Sequence, residues 1–362
     1  MERDSMARLV IGAVMVILVL PQWAGAVAGV CSGCHVMHAS QGGSPLPTTG
    51  PEGYLLNKTC LGCHTGTNNG VDTTPYVYKA SAPGAAILAG GSFYYSENSG
   101  DRKGHNPLVT GILNADGTLT EPPGWTNTGF AANGQVGGGT DNWANNPLTC
   151  AGVYGCHGRH DGTVESMHHA NVTGTATTVD GSTLGKSYRF LKGIKGGEDN
   201  DYEYETAADH NVYIGANRVA GAADTIAGGT DTMSYFCAEC HGIFHSGAGT
   251  DGLASGTIGS PWLRHPVDFS MPNSGEYAGY SSYNPAVPVA TSDTTTATTD
   301  YDVTTSPATD RIVMCLSCHY AHAGPNNASL RWDYSKMLAE TAAVADRNTG
   351  CFACHTAKDG DP

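Results

Sequence analysis

The cysteines constrain this chain of 362 residues more than any other feature: all twelve fall into pairs, and every pair is followed at once by a histidine. Five pairs have the spacing Cys-x-x-Cys-His, whereas the third, CAGVYGCH at 150–157, has five residues between its cysteines. The six groups are Cys31, Cys34 and His35; Cys60, Cys63 and His64; Cys150, Cys156 and His157; Cys237, Cys240 and His241; Cys315, Cys318 and His319; and Cys351, Cys354 and His355. Histidine is only 15 of the 362 residues, so six such adjacencies do not arise by chance.

A pair of cysteines followed by histidine is typical of c-type haem attachment. Two thiols form thioether bonds to the porphyrin, and the next residue donates its imidazole to the iron. A disulfide framework or a set of zinc sites would also use paired cysteines. Neither of these requires a histidine directly after each pair. The repeat therefore predicts six covalently bound haem c groups.

The expanded third pair is interpreted as a sixth haem site. His157 must follow Cys156 directly, because the thioether and the iron ligand lie on one small framework, whereas the distance between the cysteines is a looser constraint. The extra residues can form a bulge, and Gly152 and Gly155 are expected to supply the positive φ angles that a tight bulge needs. An open alternative is a haem held by Cys156 alone, with Cys150 unattached.

Histidine is plentiful enough to fill the other axial position of every iron. Nine histidines lie outside the pairs: His38, His105, His160, His168, His169, His210, His245, His265 and His322. Methionine is the competing axial ligand, and Met37, Met233 and Met314 lie near the pairs, although a thioether near a haem more often packs than ligates. His38, His160 and His322 each follow a proximal histidine by three residues and His245 by four. Histidines so close are expected to reach a neighbouring haem rather than their own.

The N-terminus predicts export. Arg3 and Arg8 precede an apolar run at 9–20, and small residues follow the run. This is the pattern of a secretory signal peptide, here cleaved after Ala26 or Ala28. The run is shorter than the roughly 18 apolar residues expected of a membrane-spanning helix. We expect a signal peptide at 1–26 and one continuous domain at 27–362, without a membrane span. A net charge of −15 argues against nucleic acid as a partner.

Composition bounds the fold. The chain has 49 glycines and 18 prolines but only 7 phenylalanines, so it has little bulky apolar surface from which to build a large side-chain core. Either much of the chain is disordered, or the haems rather than side chains form the core. The sequence shows no clear helical or strand periodicity longer than a few residues, so we expect a multihaem c-type cytochrome with short helices and little other regular secondary structure. Short helical turns are expected at the Cys-x-x-Cys-His groups, and one longer helix at 332–347, which is rich in helix formers.

Several segments together resemble a known family. They are CSGCHVMHAS at 31–40, DRKGHN at 101–106, CAECHGIFH at 237–245, LRHP at 263–266, CLSCHYAHAG at 315–324 and AKDG at 357–360. Their order and rough spacing resemble those of the outer-surface hexahaem cytochromes of Geobacter that polymerise into extracellular nanowires. The resemblance implies bis-histidine haems stacked as a wire within a mostly coil fold.

The resemblance also implies a set of distal ligands. His38 matches the family's histidine that ligates a haem of the adjacent subunit, a heterologous contact that can propagate as a head-to-tail homopolymer. The remaining distal ligands are His105, His160, His245, His265 and His322. This chain departs from the family in its expanded third pair, its shorter length and the lack of a histidine between His265 and the fifth pair. His168, His169 and His210 are reserves, and one of them could displace His160.

The resemblance implies an electron-transfer protein, not an enzyme, that is secreted through the periplasm to the extracellular space or outer cell surface. Its expected partners are further copies of itself, other multihaem cytochromes and extracellular electron acceptors. One alternative is a monomeric periplasmic or outer-surface hexahaem carrier, in which His38 would ligate within its own chain. A second is a multihaem reductase, which would need at least one haem with an open coordination position.

Overall fold

A computed structural model describes the fold of most of the chain. The described residues are 30–38, 40–41, 44–45, 55–56, 59–69, 74–84, 87–125, 136–139, 143–161, 163, 177–198, 206–208, 210–217, 229–245, 265–293 and 310–358. The expected signal peptide at 1–26, and the reserve ligands His168 and His169, lie outside the described residues.

The described helices are short. The α-helices are α1 (Cys60–Cys63), α2 (Tyr94–Ser99), α3 (Met233–His245), α4 (Cys315–Cys318) and α5 (Cys351–Cys354). Turns of 3₁₀-helix span Cys31–Gly33, Asp101–Lys103, Val136–Gly139, Trp143–Asn145, Leu184–Lys186, Tyr188–Phe190, Gly275–Tyr277, Asn327–Ser329, Tyr334–Lys336 and Val344–Asp346. All five regular Cys-x-x-Cys-His groups begin on or lie within a helical turn, as the sequence predicts.

The strands are shorter still and form small separate sheets. They are β1 (Ser40–Gln41), β2 (Ser44–Pro45), β3 (Thr149–Ala151), β4 (Gly155–His157), β5 (Thr177–Val179), β6 (Gly196–Glu198), β7 (Val212–Tyr213), β8 (Phe269–Ser270) and β9 (Ile312–Val313). Antiparallel pairs join β1 to β2 and β8 to β9, β5-β6-β7 form an antiparallel sheet, and β3 pairs with β4 in parallel. The expectation of a mostly coil chain with short helices is confirmed.

Buried apolar side chains form four small clusters in the described part of the chain, and each borders a cysteine of a pair. Cys156 packs against the largest cluster, Cys354 against the second, Cys150 against the third and Cys240 against the fourth. The side chains that exclude water therefore also fix the positions of the cysteines.

The predicted helix at 332–347 is wrong. Only Tyr334–Lys336 and Val344–Asp346 form 3₁₀ turns there, and Glu340 has a φ of 61°, which an α-helix cannot contain. The side chain of Asp333 accepts a hydrogen bond from the backbone of Ser335 at 3.0 Å. A local side-chain bond of this kind competes with helix propagation. Tertiary packing and local turns thus outweigh the helix propensity of the segment.

Candidate metal centres

Each regular cysteine pair is held in one helical turn. The backbone N–H of the histidine donates to the carbonyl of the first cysteine at 2.8 Å for His35, 2.9 Å for His64, 3.1 Å for His319 and 2.9 Å for His355. This is the hydrogen bond of an α-helical turn, and it places residues i, i+3 and i+4 on one face. Both thiols and the imidazole of one group therefore point the same way. In the fourth group the pair lies inside α3, and the backbone departs from helical geometry at His241.

In the expanded third group, two short strands instead of a helical turn position the cysteines and the histidine. Strands β3 and β4 pair in parallel, with Thr149 opposite Gly155 and Ala151 opposite His157. Gly152 has a φ of 99°, as the sequence predicts for a bulge. The prediction for Gly155 is wrong, because its φ is not positive. Gly155 is required by proximity instead: a Cβ there would lie 2.5 Å from the carbonyl carbon of Ala151.

The second to sixth groups meet one another in chain order. The Cys150 and Cys60 thiols are hydrogen-bonded, and so are those of Cys237 and Cys315. Burial, and then the nearby Cys156, raise the pKa of the Cys240 thiol well above its ordinary value. Burial, and then the nearby Cys354 and Cys351, raise the pKa of Cys318 to about 12. The thiol hydrogen bonds join the second group to the third and the fourth to the fifth. The electrostatic effects on the pKa values place the third group near the fourth and the fifth near the sixth.

Seven histidines share one arrangement of the imidazole, in which Nδ1 faces a main-chain carbonyl. The distances to the carbonyl oxygens are 2.8 Å for His64 and Pro75, 2.7 Å for His105 and Ala321, 2.8 Å for His157 and Arg189, 2.8 Å for His210 and Asn211, 2.7 Å for His241 and Pro123, 2.8 Å for His265 and Pro266, and 2.6 Å for His319 and Ala328. A carbonyl only accepts, so Nδ1 carries the proton and donates. In this tautomer Nε2 is the nitrogen that could bind a metal ion, which is the arrangement that metal-ligating histidines usually have.

Three pairs of imidazoles lie at the distance expected of two ligands on one iron. Ring centroids are 6.0 Å apart for His105 and His241, 6.4 Å for His157 and His322, and 6.1 Å for His265 and His355. An imidazole nitrogen lies about 2 Å from a bound metal ion, so two imidazoles on opposite faces of one iron have centroids roughly 6 Å apart. Each of the three pairs joins a predicted proximal histidine to a predicted distal one.

Four of these six imidazoles are held in the neutral form. Burial, followed by the nearby His105, lowers the pKa of His241 to about 4. Burial, followed by the nearby His157, lowers the pKa of His322 to about 3. Burial also lowers the pKa of His105 and of His265. Neutral imidazole is the form that binds a metal ion, so these environments suit ligation.

Gly104 allows His105 to approach its partner segment. A Cβ at Gly104 would lie 2.4 Å from the Cα of Ala323 and 2.4 Å from the carbonyl oxygen of His322. The backbone N–H of His105 donates to that same carbonyl of His322 at 2.9 Å. The glycine that precedes His105 in DRKGHN therefore positions the ligand, a role that the sequence reasoning missed.

Carboxylates hold three further histidines, and sequence reasoning missed all of these acids. Nδ1 of His160 lies 3.1 Å from Oε2 of Glu239, and Nδ1 of His355 lies 3.3 Å from Oε2 of Glu276. His245 differs, because its Nε2 faces Oδ2 of Asp268 at 2.6 Å. Glu239 could have been suspected from the sequence, since it lies between Cys237 and Cys240. Asp268 and Glu276 carry no such signal.

The remaining candidates have varied surroundings. His38 is exposed, next to Met37, whose side chain is 86% exposed. His210 is buried, and its ring stacks on Tyr283 with centroids 3.5 Å apart. Met233 and Met314 are buried in the largest apolar cluster, where they pack against other side chains.

None of the described helices is long and apolar enough to cross a membrane. In the described part of the chain, no group of three or more His, Cys, Asp and Glu side chains is placed to hold one metal ion.

Comparison with known proteins relates the chain to c-type cytochromes. The family described as "Doubled CXXCH motif" matches residues 306–360. The chain is 26% identical over 385 aligned residues to the C-type cytochrome OmcS of Geobacter sulfurreducens, covering 87% of this chain and 81% of that protein. The cryo-EM structure of the OmcS nanowires of that organism aligns at 22% identity with a TM-score of 0.45, covering 88% of this chain and 87% of that one. The Outer Membrane Cytochrome S filament, also from Geobacter sulfurreducens, aligns at 20% identity with a TM-score of 0.45, covering 94% and 95%.

Proposed function

We propose that this chain is a secreted hexahaem c-type cytochrome that conducts electrons along a row of bis-histidine haems, polymerised head to tail outside the cell. The observation that supports the proposal is that cysteine groups two to six lie near one another in chain order. Haems attached to neighbouring groups would themselves lie close together. The similarity to a C-type cytochrome supports electron transfer rather than catalysis as the role of the chain.

Three axial pairs are proposed from the spacing of the imidazoles. His241 and His105 would hold the fourth haem, His157 and His322 the third, and His355 and His265 the sixth. His322 follows the proximal ligand of the fifth group by three residues but lies beside His157 of the third. That placement supports the idea that such histidines serve a neighbouring haem. His160 and His245 remain proposed distal ligands of haems attached to the other groups, and His210 stays a reserve.

The protein's part in conduction is to hold and orient the ligands. When bound, each haem supplies a one-electron iron couple. The chain fixes the ring planes through the bonds from Nδ1 to main-chain carbonyls, so the ligand geometry changes little between the two oxidation states. If each haem is held by two of these histidines, no coordination position remains for a substrate, which favours a carrier over a reductase.

His38 is proposed as the link between subunits. It is exposed in the single chain, as a ligand donated to another copy must be. The contact joins two different surfaces, so it need not close and can extend into a filament. Other multihaem cytochromes and extracellular electron acceptors are the proposed partners at the filament ends. The name of a solved relative, OmcS nanowires, agrees with such an assembly.

Electron microscopy of the extracellular fraction tests the proposal. Filaments with an unbroken row of haems, and density for His38 entering the next subunit, are the expected result. The variant His38→Ala should abolish filaments but leave haem attachment intact, as judged by intact mass. Met37→Ala is the matched control, because Met37 is the exposed neighbour of His38, and it should keep the filaments. Discrete particles from the wild-type protein would indicate a monomeric carrier.

A further inference from the structure

A carboxylate is buried inside the fourth cysteine group. Glu239 lies between Cys237 and Cys240 on α3, and its Oε2 is 3.1 Å from Nδ1 of His160. The side chains of His160 and Glu239 are 1% and 0% exposed, respectively. By contrast, the similar contact of His355 with Glu276 is at the surface, with side chains 31% and 32% exposed.

Burying a carboxylate is costly unless a partner compensates for the lost hydration. The imidazole of His160 is the partner observed for Glu239, and the ring of Phe236 lies against the same imidazole with centroids 6.2 Å apart. The pair also crosses from one cysteine group to the next, because His160 follows His157 of the third group by three residues. A residue placed in this way can act on the electronic properties of a haem without touching it.

The second ring nitrogen of His160, Nε2, indicates that the imidazole binds a metal ion. Nδ1 of His160 lies within ion-pair distance of the Glu239 carboxylate, but neither ring nitrogen makes a hydrogen bond of regular geometry among the described residues, and Nε2 is buried there without an ion-pair contact either. An unsatisfied buried nitrogen destabilises the folded state, and a bond to iron would satisfy it. Nδ1 held by a carboxylate with Nε2 on a metal is the carboxylate–histidine–metal arrangement known from many metal sites.

We propose that Glu239 is a positioning residue that holds His160 as a distal haem ligand and lowers the reduction potential of the haem that His160 ligates. The inference rests on the proposed function, because it assigns a ligand to one of the six haems. The carboxylate draws the Nδ1 proton of His160 toward itself, which makes Nε2 a stronger donor to iron. The ferric state gains more from a strong donor and a nearby negative charge than the ferrous state does. Adding one electron to the ferric iron therefore becomes less favourable.

Spectroscopically monitored redox titration of the full haem-loaded protein tests this. In Glu239→Gln, one haem should be about tenfold easier to reduce at a given potential, the lower end of what substitutions around a metal ligand produce. For a one-electron couple, tenfold corresponds to about 59 mV. The matched control is Glu97→Gln, which removes the same charge from an exposed glutamate that binds Asn114. The control should titrate as wild type does, and Glu239→Asp should recover part of the wild-type potential.

Two further measurements make the outcome decisive. Intact mass should show the same number of haems in wild type, Glu239→Gln and Glu97→Gln, so that a shift cannot come from lost cofactor. His160→Ala should convert one haem to the high-spin state in electron paramagnetic resonance. If His160→Ala stays fully low-spin, or if Glu239→Gln titrates like Glu97→Gln, the assignment is overturned. Neither result bears on whether the wild-type protein forms filaments, so failure of the proposed function is recognised separately.

Discussion

Replacing Gly155 by alanine tests how the expanded third group is built. The new Cβ would lie 2.5 Å from the carbonyl carbon of Ala151 and 2.6 Å from its Cα and nitrogen. All three are backbone atoms, so no side chain can rotate away. To restore an ordinary contact near 3.5 Å, strand β4 would have to move by about 1 Å. Cys156 and His157 follow Gly155 directly and would move with it.

The loss in the free energy of unfolding depends on which atoms the new Cβ meets. Overpacking a closed site costs about 1–3 kcal/mol of the free energy of unfolding. Gly152 offers a comparison within the same bulge, since its φ is 99° but a Cβ there would meet nothing within 4 Å. Alanine at Gly152 would therefore cause only backbone strain, about 1 kcal/mol. Gly117 has open space and no positive φ, so alanine there should be neutral or slightly stabilising.

Guanidinium denaturation, with intact mass to count haems, measures these effects. The expected order of destabilisation is Gly155→Ala, then Gly152→Ala, then Gly117→Ala. Loss of haem from the third group is expected only in Gly155→Ala, because only that change displaces Cys156 and His157. If Gly152→Ala is the more damaging of the two, backbone strain rather than close approach governs the bulge, and the reasoning is refuted.

Two further predictions concern a proposed ligand and a half-buried arginine. His105→Ala should leave His241 as the only imidazole on its haem, so that about one sixth of the iron becomes high-spin and binds carbon monoxide, which changes the absorption spectrum. Gly104→Ala should give the same absorption change. An unchanged spectrum in both variants would disprove the pairing. Arg331 donates to the carbonyls of Leu316 at 2.8 Å and Ala89 at 3.0 Å and lies over the ring of Tyr320. Arg331→Lys should lower the free energy of unfolding by about 2 kcal/mol, because lysine lacks the planar fork, and an unchanged denaturation midpoint would contradict this.

The sequence was most informative where covalent chemistry dictates local geometry. At the regular spacing, one helical turn is needed for two cysteines and a histidine to face the same porphyrin. That turn is present at His35, His64, His319 and His355. The lack of any long helical or strand periodicity likewise predicted a chain with little regular secondary structure, and the family resemblance implied a mostly coil fold. Local spacing and periodicity can be read without knowledge of the tertiary fold.

The errors and omissions have a different origin. The helix expected at 332–347 failed because turn-forming side chains and packing outweighed propensity. Gly155 was assigned to a glycine-specific φ, yet it is required because β3 runs beside it. Glu239 was missed although its place between two cysteines was a signal, whereas Glu276 and Asp268 gave none, because each faces a histidine distant in sequence. Contacts of that kind are set by the tertiary fold, and one sequence without its homologues does not reveal them.

The small apolar clusters explain why such a chain should depend on its cofactors to fold. The third and fourth clusters contain only four and three buried residues each, far too few to offset the conformational entropy of the coil around them. Yet each of the four clusters borders a cysteine of one group. A large apolar disc bonded to that cysteine would extend the cluster and bury further surface. Folding and haem attachment would then be coupled, as metal binding and folding are in small metal-dependent domains. The same contacts that bring the groups together for conduction would thus be those that make the native state stable.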